Sequence, residues 1–152
     1  SVALVGGSLR ERSVGRAVLK NIRDAGFGGP IGLVNPKHSQ IEGIAAVKTI
    51  MDLPIAPDLV VIATPRASVP ELIAAAGARG CAAAVILTAG LGHGPGSLAE
   101  ATEQAARLYG LRIVGPNCLG VLVPGWKLNA SFAASFCFFV IIIAIKTGQH
   151  AG

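Results

Sequence analysis

"SVALVGGSLRERSVGRAVLKNI", residues 1–22, decides the fold. "VALVG" at 2–6 is an unbroken apolar run, as in a strand buried on both faces. Gly6 and Gly7 break it, three charges follow, and Ser13 stands where a helix cap belongs. Val14, Val18 and Ile22 then recur at helical spacing until Gly26 stops the pattern. The chain thus opens as strand, glycine loop and helix.

The same alternation continues outward. "IGLVN" at 31–35 and "DLVVIAT" at 58–64 read as the second and third strands, and "AAVILTA" at 83–89 and "LRIVG" at 111–115 as two more. Between them lie two helical patterns. One starts at Ser68 with Glu71 in capping-box spacing and turns Val69, Leu72, Ile73 and Ala76 inward. The other repeats the box with Ser97 and Glu100, lines one side with Leu98, Ala101, Ala105 and Leu108, and ends at Gly110. Strands joined by helical crossovers predict a doubly wound, mainly parallel sheet with helices on both faces.

Composition agrees. Of 152 residues 52% are hydrophobic and 14% charged, with 20 glycines, which suits one compact α/β domain. The formal net charge is +5, and six of the 13 Lys and Arg fall between Arg10 and Lys37. That concentration points to an anionic partner. It lacks the basic stripe with interleaved aromatics of a nucleic-acid surface, so no nucleic acid is expected. Cys81, Cys118 and Cys137 are odd in number and without framework spacing, the pattern of reduced thiols in a cytoplasmic protein. An opening directly on a strand leaves no signal peptide. "FCFFVIIIAI" at 136–145 is shorter than the roughly 20 residues of a membrane helix. No membrane span is expected.

Function is expected at one edge. Loops at the amino ends of the strands are plain glycine turns, whereas "GGSLRERS", "NPKH", "TPRAS", "TAGLGHGPGS" and "GPNCLG" all follow strands. Open α/β sheets bind ligands over these carboxyl ends. In the first loop, glycine backbone, Ser8 and a helix N-terminus suit a phosphate. The spacing is neither GxGxxG nor a Walker motif, and an ordinary turn with solvated arginines is the competing reading. In the second, an NAD protein usually carries Asp or Glu for the ribose, yet here stands Asn35-Pro36-Lys37-His38. A cation there suits a phosphorylated ribose, that of coenzyme A or of NADP; a solvent-facing turn is the alternative. Cys118, between glycines and without a nearby His, reads as a packed thiol lining a pocket rather than a nucleophile. His93 fits a loop polar group, and His and Cys never recur at metal-ligand spacing, so no metal is expected.

Together the first 22 residues, "VNPK", "DLVVIATP", the "TAG" turn, "GPNCLGV" and "LNASFA" resemble the CoA-binding domain of NDP-forming acyl-CoA synthetases. These include the ADP-forming acetyl-CoA synthetases and, more distantly, the α subunit of succinyl-CoA synthetase. The resemblance covers about residues 1–134 and implies a Rossmann-like domain holding coenzyme A or an acyl-CoA. Carried over by position, it implies that Gly7, Ser8, Arg10, Ser13 and Val14 surround CoA phosphates. Lys37 would meet the 3′-phosphate, Thr64 and Pro65 would border the adenine and pantetheine path, and Asn117 and Cys118 would lie near the thiol end.

The departures shape the remaining expectations. Family enzymes continue into a phosphohistidine domain and an ATP-grasp portion, and none of His38, His93 or His150 matches the phosphorylated position. No catalytic residue is therefore expected in this chain, which reads as a fragment that binds CoA and needs those domains as partners. Residues 135–152 form a separate apolar tail, expected to be a strand through which the protein self-associates. Two other functions compete. An NADP-linked oxidoreductase needs a catalytic acid, and Tyr109 is the sole tyrosine. A CoA-binding regulatory domain of a protein acetyltransferase needs the transferase, for which there is no sequence here.

Overall fold

The computed structural model describes residues 1–133. The expected strand and self-association of the 135–152 tail lie outside them. Seven strands form one sheet: β1 (Val2–Val5), β2 (Ile31–Val34), β3 (Gln40–Ile41), β4 (Ile44–Val47), β5 (Leu59–Ile62), β6 (Ala83–Ile86) and β7 (Arg112–Val114). Their order is β3-β4-β2-β1-β5-β6-β7, parallel throughout except for β3. From β1 the chain winds outward to β2, and from β5 it winds the opposite way to β6 and β7. The sheet is doubly wound, and its direction changes between β1 and β5.

Strand alternation separates two cores. Ala3, Val5, Val60, Ile62, Ala84 and Ile86 face one side, where helices α2 (Val69–Ala78) and α3 (Leu98–Tyr109) pack. Val2, Leu4, Leu33, Val61 and Val85 face the other, beneath helix α1 (Val14–Asp24) and an antiparallel hairpin of β8 (Gly120–Val123) and β9 (Leu128–Ser131). Helices thus cover both faces, with the hairpin completing the α1 layer. Val18, Leu19 and Ile22 of α1 are fully buried, each stabilising the fold by about 1.5–3 kcal/mol.

The helix starts differ in detail from expectation. Ser13 caps α1 as expected, its Oγ accepting from Arg16 N at 3.3 Å. Ser97 caps α3, accepting from Glu100 N at 3.1 Å, but the Glu100 carboxylate accepts from Gly96 N rather than closing the box on Ser97. Ser68 does not cap α2. A 3-10 turn at Arg66–Ser68 has already made its backbone helical, and its hydroxyl donates to Pro65 O at 2.8 Å, with Thr64 Oγ1 at 2.9 Å, instead.

The inner face of α3 is also rotated. Ala101 and Leu108 are exposed, while Thr102 and Ala106 are buried. Thr102 tolerates burial because its hydroxyl donates to Leu98 O at 2.6 Å. On the same helix Tyr109 lies so close to Gly77 of α2 that a Cβ there would come within 2.5 Å of its ring.

Two hairpins are additions to the expected pattern. β3 and β4 join through Glu42 and Gly43, both at positive φ, as a two-residue type I′ turn requires. The turn between β8 and β9 contains Pro124-Gly125, a turn dipeptide between apolar runs that marks such a hairpin in sequence.

Candidate functional site

Register brings the loops to one level. Val5 of β1 is paired with Val34 of β2 and Ile62 of β5, and Ile62 with Ile86 of β6. The loops that follow these residues therefore leave the sheet in a row. The crevice where winding reverses opens between the loops after β1 and β5.

Gly6 makes their contact possible. Its φ is +92°, and a Cβ would sit 2.4 Å from Ala63 O. Gly15, in the first turn of α1, meets the same loop from the other side; a Cβ there would lie 2.2 Å from Gly6 O. Only glycine at both positions lets strand end, neighbouring loop and helix start converge.

Hydrogen bonds then join the first loop to the second and the third to the fourth and fifth, the two groups meeting where Gly6 lies against Ala63. Asn35 Nδ2 donates to Gly7 O at 2.6 Å, joining the second loop to the first. Thr88 Oγ1 donates to Thr64 O at 2.8 Å, joining the fourth to the third. Asn117 N donates to Thr88 O at 3.1 Å, joining the fifth to the fourth. Asn35 and Thr88 carry these bonds, and neither stood among the expected site residues. A polar residue directly after an apolar strand is the only sequence signal for them.

All ten expected positions lie along this edge. Gly7 is buried; Ser8, Ser13, Thr64 and Cys118 are half-buried; Arg10, Val14, Lys37, Pro65 and Asn117 are exposed. In the first loop Ser8 Oγ accepts from Arg10 N at 3.1 Å, and Ser13 N donates to Arg10 O at 3.3 Å. The N–H groups of Gly7, Ser8 and Leu9 find no acceptor among the described residues. They adjoin the start of α1, where the helix dipole favours negative charge.

The cations of the first two loops and of α1 differ in their partners. Arg16 Nε donates to Glu42 Oε1 at 2.9 Å, and Arg23 lies 3.6 Å from Glu42 Oε2, so both share the one carboxylate of the β3–β4 turn. Arg10, Arg12 and Lys37 form no ion pair among the described residues. Three cations without an ion-pair partner thus lie beside the first and second loops.

The Cys118 thiol donates to Ile86 O at 3.4 Å, which directs the sulfur inward. That geometry suits a packed thiol. His38 and His93 are exposed and hold nothing in common. Among the described residues there is no group of three or more His, Cys, Asp or Glu able to hold a metal, and no helix long and apolar enough to cross a membrane. A cleft of about 250 Å³ lies farther along the same edge between α3 and β7, lined by Leu91, Thr102, Ile113 and Pro116. It does not reach the glycine loop.

An open, doubly wound sheet with a laced, cationic carboxyl edge is a Rossmann-like α/β domain of the ligand-binding kind. The family model of the CoA binding domain matches residues 1–124, and the chain belongs to that family.

Its relatives are long enzymes. An ADP-forming acetate–CoA ligase of Methanocaldococcus jannaschii is 41% identical over 137 residues, which cover 90% of this chain and 19% of that protein. The α subunit of ADP-forming acetate–CoA ligase II of Pyrococcus furiosus is 34% identical, over 86% of this chain and 29% of the subunit. Among solved structures, the dinucleotide-forming acetyl-coenzyme A synthetase 1 of Ca. Korarchaeum cryptofilum, in complex with phosphate and ADP, superposes with a TM-score of 0.80. It is 32% identical, over 86% of this chain and 28% of that one. The chain therefore spans under a third of the length of these relatives, and corresponds to the CoA-binding portion of ADP-forming acyl-CoA synthetases.

Proposed function

We propose that residues 1–134 bind coenzyme A or an acyl-CoA across the carboxyl edge of the sheet. The observation that carries this reading is the first loop: free N–H groups of Gly7 and Ser8 beside a helix start, with unpaired Arg10 and Lys37 close by in the same row of loops. Gly7, Ser8, Arg10, Ser13 and Val14 surround the diphosphate, where backbone N–H groups and the helix dipole offset its charge. Lys37 meets the 3′-phosphate of the adenosine. Thr64 and Pro65 border the adenine and pantetheine path, and Asn117 and Cys118 stand near the thiol end.

In this reading the chain supplies binding and orientation, and no residue of it is a catalytic group. The parent activity is that of an ADP-forming acid–thiol ligase in the cytoplasm, with the phosphohistidine and ATP-grasp parts as partners. An oxidoreductase reading has no acid at the site: Tyr109 ends α3, at the opposite edge, against Gly77.

Titration calorimetry of the chain with CoA, NAD and NADP tests the proposal. CoA should bind most tightly, and tighter binding of either dinucleotide refutes it.

A further inference from the structure

Asn35 occupies the position after the second strand where NAD proteins place an acid that accepts from a ribose hydroxyl. Its own bonds rule that role out. Nδ2 is engaged by Gly7 O at 2.6 Å, and Oδ1 accepts from both Lys37 N at 2.7 Å and His38 N at 3.1 Å. An amide oxygen has two lone pairs, so both are taken. Turning the amide over would set oxygen against oxygen at Gly7 and nitrogen against two N–H groups, so the network fixes its orientation. The backbone is held as well, since Asn35 N donates to Val47 O at 2.8 Å.

We propose that Asn35 is a positioning residue that makes this site select a phosphorylated ribose over a bare one, by fixing the Lys37 turn against the glycine loop. The inference rests on the CoA reading above. With Oδ1 filled, the second loop offers no side-chain acceptor at Asn35 for a free ribose hydroxyl. With the N–H groups of Lys37 and His38 turned in toward Oδ1, what the loop presents outward is the Lys37 ammonium. The tie to Gly7 O sets the spacing between that charge and the first loop, hence between a ribose phosphate and a diphosphate bound together.

The test is a double-mutant cycle read as the preference for CoA over dephospho-CoA, measured by calorimetry on the full chain. Asn35→Asp keeps the acceptor for the turn but places a carboxylate oxygen against Gly7 O, which breaks the tie. The preference should fall about tenfold, within what a displaced charge-assisted phosphate contact contributes. In a Lys37→Ala background, the uncharged Asn35→Ser should change the preference no further, because Asn35 acts through Lys37.

Asn35→Ser, which is too short to reach Gly7 and adds no charge, should lower the preference in the same direction. Equal loss for both ligands, or an effect of Asn35→Ser that persists without Lys37, overturns the proposal. Loss of the fold in both Asn35 variants also overturns it, by making the residue one of the scaffold. If the unsubstituted chain binds no CoA, the functional reading itself fails and takes this inference with it. Binding with an unchanged preference would refute the inference alone.

Discussion

Replacing Gly15 by alanine sets two local effects against each other. Alanine is favoured over glycine within a helix by about 1 kcal/mol, so α1 considered alone gains from the change. The tertiary setting opposes it. The new methyl carbon would lie 2.2 Å from Gly6 O, 3.0 Å from Gly6 C and 3.2 Å from Gly7 Cα, and all three are backbone atoms of the first loop. Side-chain carbons essentially never approach within 3.0 Å, so helix and loop must part by about 0.8 Å at this point. Forced repacking of this kind costs about 1–3 kcal/mol, and α1 cannot shift freely because Val18, Leu19 and Ile22 anchor it to the sheet. The net expectation is a loss of up to about 2 kcal/mol, which at that upper end is roughly 4–8 °C in Tm for a domain of this size. Gly28→Ala is the matched control: a Cβ there meets nothing within 4 Å. It should change stability by less than about 0.5 kcal/mol. Thermal unfolding followed by circular dichroism measures both, and CoA affinity should fall for Gly15→Ala alone. If Gly15→Ala melts at or above the Gly28→Ala variant, α1 does not rest on the glycine loop and the site geometry argued from it is wrong.

Lys37→Ala should weaken CoA by about 1.5–3 kcal/mol and leave dephospho-CoA nearly unchanged; equal losses would show that Lys37 does not read the 3′-phosphate. Thr88→Val removes the donor to Thr64 O while keeping shape. It should destabilise by about 1 kcal/mol in urea unfolding, and unchanged stability would mean the rim bond is worth nothing. Cys81 is buried, and burial pushes its thiol above the ordinary value. The fold therefore favours the protonated thiol, a contribution present at neutral pH and lost as pH rises above about 8.5, the ordinary thiol pKa. Iodoacetamide at pH 8 should leave Cys81 unmodified in the folded chain and alkylate it in denaturant, as mass spectrometry of peptides would show.

Some of this protein is determined locally. The strand of Val2–Val5, the cap at Ser13 and the helix behind it follow from apolar spacing and from a hydroxyl three residues from the N–H it accepts. Strand–helix alternation also sorts the loops into two edges, which is why all ten expected site residues fall on one. Tertiary packing decided the rest. Ser68 has the same capping spacing as Ser97, yet only Ser97 caps, because a preceding 3-10 turn had already committed the Ser68 backbone. The buried side of α3 depends on how closely Gly77 lets Tyr109 approach, a property of two helices and not of one. Asn35 and Thr88 find their partners 28 and 24 residues away, through the register of β1 with β2 and of β5 with β6. Periodicity carries information over a few residues of chain, whereas such bonds exist only once the sheet has fixed which strand ends lie side by side.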